Sequence, residues 1–520
     1  MSPCAGVSLA IVLLLGTSGL GEAAKILGVL PSGGTSHHFV GISYLRLLAK
    51  AGHDVTVLSS FPEKNPPPNW RDIELTGLKE KMHEEFTDPF EFADTPFIMN
   101  LIMMYSTFGR FSSEFTLNHP NVQKLLNSGE HFDLVIVEAF LAEAVFGMAQ
   151  HFNASLITYS PFGSSLWNTE LTGSPAPASH VSTMMLPYYD RMNFWERFWN
   201  TIYNAIDYTL YHQLQLTTQK ELYDAAFPNA AISFEEQMKQ VSLVFLNNHF
   251  SIGMPRPYAP NMIEVGGVQI DDPKPLPKDL QKFMDEAPDG VIYFSMGSYV
   301  RSEKFPEEKR NAFIKVFAGL KQRVLWKFED ESLPKLPYNL LIKAWMPQND
   351  ILAHPNVRAF ITHGGLLGTT EAIYHGIPLV GIPIFGDQMM NVQLSARSGM
   401  GVPLLFKDIN EQTVRSALEK VLTDPSYREN AKRMSKIYHD KPMTPKQTAL
   451  YWMEYVIRHK GAPQLRTPAV ELSFFQYHLI DVYCVMLLIL GLVSLICVRV
   501  VKKCYSSIRK FAPKKSKKRD

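Results

Sequence analysis

Along most of the chain, short apolar runs alternate with stretches whose apolar residues recur every three or four positions, the signature of strands alternating with amphipathic helices. Lys25–Leu30 reads as the first strand and Asp54–Ser59 as the next. Between them Val40, Tyr44, Leu47, Leu48 and Ala51 share one helical face, which ends at Gly52. Leu134–Val137 and Leu156–Tyr159 are later strands. About residues 251–290 the rhythm breaks: seven prolines with acids and lysines between them give a linker composition. Beyond it, strands near 291, 323, 340, 357, 377 and 400 alternate with helices, one opening at Pro306 with Glu307 and Glu308 in its first turn. A last helix of the body is expected over Pro445–Lys460. Such βα alternation predicts an α/β protein with parallel, doubly wound sheets. At 520 residues the chain is too long for one core, so two such domains are expected, 24–250 and 291–444, followed by a helix and juxtamembrane segment at 445–477.

The two ends have a different pattern. Val7–Leu15 is apolar but too short to cross a bilayer, and small residues follow it up to Ala23. Residues 1–23 therefore read as a secretory signal peptide, although the usual Lys or Arg at the start is missing. Val482–Val498 is uncharged between Asp481 and Arg499 and predicts a membrane helix over about 478–501. As a helix the run is roughly 26 Å long, short for a plasma membrane and close to the thinner membrane of the endoplasmic reticulum.

Charge orients this span. Arg499–Asp520 holds ten Lys or Arg against one acid, about +9, whereas the whole chain is +1, so the remainder sums to about −8. Basic residues beside a span stay cytosolic, which makes the body lumenal and the chain single-pass, type I. The tail at 502–520 could contact nucleic acid or anionic lipid. Its Lys517 and Lys518, third and fourth from the end, resemble the dilysine retrieval signal of endoplasmic reticulum residents, the sharper reading, and no nucleic-acid partner is expected. The four cysteines (Cys4, Cys484, Cys497, Cys504) all fall in the signal, span or tail, so the body has no disulfide and must rely on large cores. Asn153-Ala154-Ser155 is a glycosylation sequon.

Candidate chemistry concentrates between Trp345 and Gln393, where three polar clusters each end a strand-like run, the place where parallel sheets bind ligands. Thr362-His363-Gly364-Gly365 precedes a helix, and the free N–H groups of a helix start form an anion site. His363 and Thr369 can add donors to a diphosphate, and the carboxylate of Glu371 can accept both hydroxyls of a ribose. Trp345 offers a face for a base to stack on, and Gln348 a donor and an acceptor for its edge. Asp387 and Gln388 open another helix and can read sugar hydroxyls, though Asp387 also suits an N-cap. Ser295, Gly297 and Ser298 end a further strand and can present N–H groups to phosphate. No Asp-x-Asp triplet or metal-ligand spacing occurs, so no metal or other cofactor is expected.

With Trp345-Met-Pro-Gln348, Thr362-His-Gly-Gly365, Glu371 and Gly386-Asp387-Gln388 followed by Asn391, the chain resembles the UDP-glycosyltransferase family over nearly its whole length, in spelling closest to insect members. The resemblance implies the GT-B architecture, two Rossmann-like domains facing a cleft. It assigns Trp345 and Gln348 to the base, His363 and Gly368 to phosphate, Glu371 to ribose, and Asp387 and Gln388 to the sugar. It further implies transfer of a hexose, with inversion, from a UDP-sugar co-substrate to small lipophilic acceptors, the chemistry of detoxification. UDP-glucose is the expected donor and UDP-glucuronic acid the alternative; a non-catalytic lumenal partner of the same fold is the other reading. Assembly with itself or a related chain is left open. Apolar loops at Phe86–Phe115 and Met184–Leu210 suit such acceptors, with Trp195 and Trp199 assigned to a membrane face.

His37 begins the first helix and retains the base that the family places at the end of the first strand. A neutral imidazole can take the acceptor's proton. The family's partner is an Asp at the end of the strand Leu134–Val137; here that place is Glu138, with Glu143 on the following helix as the alternative.

Overall fold

The computed structural model describes residues 23–85, 90, 95–184, 186, 188–189, 191–333 and 335–511. The signal-peptide reading, apart from Ala23, and the pair Lys517 and Lys518 lie outside the described residues.

Two parallel sheets organise the body. The first contains β1 (Lys25–Val29), β2 (Asp54–Ser59), β3 (Trp70–Glu74), β4 (Leu134–Glu138), β5 (Ser155–Ser160), β6 (Val241–Leu246) and β7 (Met262–Glu264), in the order β3-β2-β1-β4-β5-β6-β7. The second contains β8 (Val291–Ser295), β9 (Arg323–Lys327), β10 (Leu340–Lys343), β11 (Val357–Thr362), β12 (Leu379–Gly381) and β13 (Gly401–Pro403), in the order β10-β9-β8-β11-β12-β13. Every pairing is parallel. Strands of such sheets are covered on both faces, which is why β4 (LVIVE) and β6 (VSLVFL) are buried at every residue.

The strand order reverses once in each sheet, between β1 and β4 and between β8 and β11. Register brings the ends at each reversal level: Val29 lies opposite Val137, and Ser295 opposite Thr362. At such switch points the loops diverge to opposite faces and leave a crevice for ligand.

Some elements depart from the sequence expectation. The proline-rich segment is ordered, contributing β7 and a helix at Lys278–Asp285. β3 and β6 also went unforeseen; β3 (WRDIE) is a polar edge strand, whereas β6 is a plain apolar run that marks itself in the sequence. The helix Pro445–Arg458 opens with a capping box between Thr444 and Gln447. It buries Ala449, Met453 and Val456 in the same core as β1, β5 and β6, so it closes the first domain.

Outside the first sheet, two long helical stretches each contain a π-helical turn. Phe97–Met103 passes through Met104–Phe108 into Gly109–Asn118, and Phe194–Leu210 passes through Tyr211–Leu216 into Thr217–Ala226. The extra residue of a π-turn re-aims neighbouring side chains and is frequent near functional sites. Here Tyr105 and Tyr211, one from each turn, meet with ring centroids 5.7 Å apart.

Pro468–Asp520 forms a separate compact unit. Within it the helix Ile480–Phe511 runs well past the uncharged stretch, and its Ile480–Lys510 portion is long and apolar enough to cross a membrane.

Candidate active site

The two switch points supply the two halves of the site. After β1 the chain turns at Gly34 into the helix Thr35–Lys50, which places His37 in the first helical turn. Its Nδ1 is hydrogen-bonded to Oε1 of Glu138, the last residue of β4. Glu138 is 1% exposed and its Oε2 has no other partner, so the carboxylate is committed to this imidazole. Phe140 and Phe162 stand edge-on to the His37 ring at 4.9 and 5.1 Å. A ring whose Nδ1 faces a carboxylate keeps its proton there, leaving Nε2 as the basic atom.

Glu143 lies elsewhere. Its two oxygens accept from the Tyr211 hydroxyl at 3.0 Å and the Gln215 amide at 2.6 Å. The structure therefore does not bring Glu143 to His37, and the reason is topological: Glu138 ends the strand beside β1, whereas Glu143 begins the next helical turn facing the π-turn pair. The neighbouring His38 points inward against Phe61 and, held near a pKa of about 4 by burial, stays neutral.

In the second domain, His363 follows β11, and its partial burial holds its pKa down to about 4. It is a neutral imidazole with an unpartnered, buried Nδ1. Gly297 and Gly365 clasp this ring: a Cβ on either would fall 2.5–2.6 Å from it. Gly364 has φ +80°, a conformation that favours glycine. The glycines around His363 thus serve its packing as much as access by a ligand. Thr369, in the first turn of the helix Leu366–His375, has a buried hydroxyl without a partner, and a Cβ on Gly368 beside it would fall 3.4 Å from the Gln348 amide nitrogen. Ser295 accepts from the Gly297 N–H at 3.2 Å, shaping the turn that leads to Ser298.

Glu371, one turn further on, accepts from the Gln348 amide at 2.5 Å, and burial pushes its carboxyl up to about 7. Trp345 is 60% exposed, so it is not a core residue and its ring is open for stacking. Asp387 precedes the helix Gln388–Arg397 but makes no side-chain cap; it instead accepts from Asn391 Nδ2 at 2.8 Å. The same amide donates to the Gly364 carbonyl at 3.0 Å, tying the start of the helix Gln388–Arg397 to the loop after β11, a role for Asn391 that spacing alone did not reveal. Burial raises Asp387 to about 6, opposed by the Asn391 bond and by the charge of His37 across the cleft. Gln388 turns its carbonyl oxygen onto the N–H groups of Ile384 and Phe385 at 2.8 and 3.1 Å, leaving its NH2 as the part able to reach a ligand.

Between the domains lies a partly open cavity, walled by Phe162, Met184 and Arg256 on one side and Leu366, Asp387 and Asn391 on the other. Arg256 comes from the proline-rich segment, where nothing in the sequence marked it. Its guanidinium donates to the Ser164 carbonyl at 3.2 Å, while its Nε is buried without a partner. Among the described residues, no cluster of three or more His, Cys, Asp or Glu is placed to hold a metal ion. Asn153 is exposed between a helix and β5 with φ 53°, which Asn tolerates.

Two parallel, Rossmann-like sheets, each with a switch-point crevice, and a histidine–carboxylate pair at the first of them match the GT-B glycosyltransferase architecture. Comparison with known proteins makes this specific. The family described as "UDP-glucoronosyl and UDP-glucosyl transferase" matches residues 67–518. UDP-glycosyltransferase UGT5 of Dactylopius coccus is 38% identical over 475 residues, covering 91% of this chain and 90% of that protein. UDP-glucuronosyltransferase 2B10 of Homo sapiens is 33% identical over 504 residues, covering 92% of each. A UDP-glucosyltransferase from Polygonum tinctorium superposes with a TM-score of 0.57 at 17% identity, covering 84% of this chain and 98% of that one, which speaks to the fold. The chain belongs to the UDP-glycosyltransferase family and is an enzyme of that class.

Proposed function

We propose that the protein transfers glucose from UDP-glucose to a hydroxyl of small lipophilic acceptors, with inversion at the anomeric carbon. The observation that carries this reading is the His37–Glu138 pair facing Asp387 across the cleft. His37 Nε2 takes the acceptor's hydroxyl proton as the oxygen attacks the anomeric carbon; the bond to the diphosphate breaks, and UDP leaves. Glu138 keeps the ring's tautomer and stabilises the imidazolium that forms, an arrangement worth about 10²–10⁴ in rate. On the donor side, Trp345 and Gln348 take the base and Glu371 the ribose. The helix start at Leu366 with Thr369 and His363 takes the diphosphate, and Asp387 with the Gln388 amide takes the sugar hydroxyls. Neutral donors and a helix N-terminus then offset the charge of departing UDP, so turnover requires no divalent ion. The enzyme acts as a conjugating enzyme in the lumen of the endoplasmic reticulum, anchored by Ile480–Lys510.

A second donor has one specific observation in its favour. The half-buried guanidinium of Arg256, its Nε unpartnered in the cleft wall, suits the carboxylate of a glucuronyl group better than a neutral hydroxymethyl. One assay separates the readings: microsomes containing the protein, offered UDP-glucose and UDP-glucuronic acid with a panel of phenols and steroids, in EDTA. Transfer from UDP-glucose that persists in EDTA and disappears in His37→Ala, while UDP still binds, is the expected result. Exclusive use of UDP-glucuronic acid, with its loss in Arg256→Ala, would replace glucose as the donor. Normal turnover by His37→Ala would overturn the mechanism.

A further inference from the structure

Next to the interdomain cavity lies a second, partly open one, lined by residues of the first domain and the proline-rich segment. Ser164, Val181, Met184 and Arg256 line both, so the two spaces adjoin. The inner one is walled by Leu101, Met104, Tyr105 and Trp167, with Asn204 and Asp207 its polar members on the helix Phe194–Leu210. A single aromatic ring relates it to the reacting pair: Phe140 stands 4.9 Å from His37 and 6.0 Å from Trp167, centroid to centroid.

Asp207 is the unusual member. It is 6% exposed, and its Oδ1 accepts from the Tyr105 hydroxyl at 2.6 Å. Burial alone drives its carboxyl up to about 6, and only the Tyr105 bond acts in the other direction. No cation acts on it: Arg256, which lines the same cavity, contributes nothing to its ionisation. The contrast with Glu143, one layer away, is informative. Glu143 is buried as a structural carboxyl should be, with a donor on each oxygen. Asp207 has one neutral donor and faces open space. At neutral pH a carboxyl of this kind is mostly ionised and poorly solvated, so it gains most from a cation arriving with the ligand. The faces of Tyr105 and Trp167 favour the same charge.

We propose that this inner cavity is an acceptor subsite and that Asp207 receives a protonated amine carried by the acceptor remote from the hydroxyl that is glycosylated. The preferred acceptors are then lipophilic phenolic amines, with the phenol at His37 and the ammonium at Asp207. This rests on the reading of the cleft as a glycosyl-transfer site.

Three matched phenols test it with the full-length protein in membranes: one with a para propyl chain, one with that chain ended by an alcohol, and one with it ended by an amine. Turnover of the propyl phenol reports on transfer itself; the ratio of amine to alcohol reports on the subsite. Wild type should show a KM for the amine roughly tenfold below that for the alcohol, as one charge-assisted hydrogen bond supplies. Asp207→Asn should erase this ratio and leave the propyl phenol within about twofold. Binding followed by quenching of tryptophan fluorescence should give the same ratio without turnover. N-acetylating the amine deletes the charge from the ligand side, and the gain should vanish in wild type whether or not the variant accumulates. An amine no better than the alcohol in wild type, or a preference retained by Asp207→Asn, would overturn the proposal.

Discussion

At the scale of single residues, the two carboxylates near the first switch point have opposite environments and should fail differently. Glu138 spends its charge on His37, so Glu138→Ala should lower kcat by about 10²–10⁴ with little change in melting temperature. Glu143 satisfies Tyr211 and Gln215, and Glu143→Ala strands two buried donors at roughly 1–3 kcal/mol each. That variant should melt earlier while retaining turnover per folded molecule. Initial rates and a thermal melt on both variants separate the cases; a crippled, fully stable Glu143 variant would contradict the assignment. Glu371 invites a pH experiment. Its folded carboxyl is raised from 4.5 to about 7, so it holds a proton that the unfolded chain has already lost. That contribution to stability is complete below pH 4.5 and is lost as pH rises through about 7. Glu371→Gln should therefore melt higher than wild type above pH 7 and gain nothing below pH 4.5. If the ionised Glu371 accepts the ribose hydroxyls as proposed, UDP affinity for wild type should rise with pH through about 7, and the Gln variant should lose that slope. Identical UDP pH profiles in the two proteins would remove Glu371 from the ribose site.

At the scale of elements, the site exists because β1 pairs with β4 and β8 with β11, bringing together loops separated by about a hundred residues in one domain and about seventy in the other. Another element presents its chemistry outward. The helix Phe194–Leu210 exposes Phe194, Trp195, Phe198 and Trp199 at 62, 65, 43 and 46%, although its buried face carries Asn200 and Asp207. An exposed aromatic stripe with a polar inner face is inverted relative to an ordinary surface helix and suits the interfacial region of a bilayer. A body ending at about Tyr477 should accordingly sediment with phospholipid vesicles. Trp195→Ser with Trp199→Ser should weaken that binding roughly tenfold or more without altering the fold. Equal vesicle binding by both proteins would assign the stripe to a protein partner instead.

At the scale of the whole molecule, the two domains are fastened at several points around the cleft. The Tyr189 hydroxyl donates to Gln393 Oε1 at 3.1 Å, Arg397 lies over the Tyr189 ring at 4.7 Å, and Tyr438 donates to the Gly266 carbonyl at 2.7 Å. Lys446 pairs with Asp271, pinning the returning helix to the proline-rich segment. Charge is divided just as unevenly as structure, with about +9 on the last twenty-two residues and about −8 on the rest. If that tail is cytosolic and read by the retrieval machinery, Lys517→Ser with Lys518→Ser should let the full chain leave the endoplasmic reticulum, visible as complex glycans on Asn153 or as surface staining. Unchanged retention would assign sorting to the length of the apolar span.

Much of this protein was legible before folding. Apolar runs bounded by Gly and Pro placed the strands that carry the site, because a parallel sheet buries both faces and leaves no polar alternation to confuse the pattern. Composition toward the C-terminal end marked a helix long and apolar enough to span a membrane, since a lipid-exposed helix must be apolar all round. The residues proposed for the donor side stood out because polar clusters at strand ends use residue types that cores avoid. Other features only tertiary structure decided. The family resemblance put Glu138 first and Glu143 as its alternative, and strand register sets the Glu138 oxygen against an imidazole 101 positions away. The link from Asn391 to Asp387 and Gly364, the clasp of Gly297 and Gly365 on His363, and the solitary Asp207 in the inner cavity belong to the same class. Sequence pattern reports what one segment does by itself, through its period and its termini. Which polar atoms end up without a partner is settled only when segments distant in sequence are packed together.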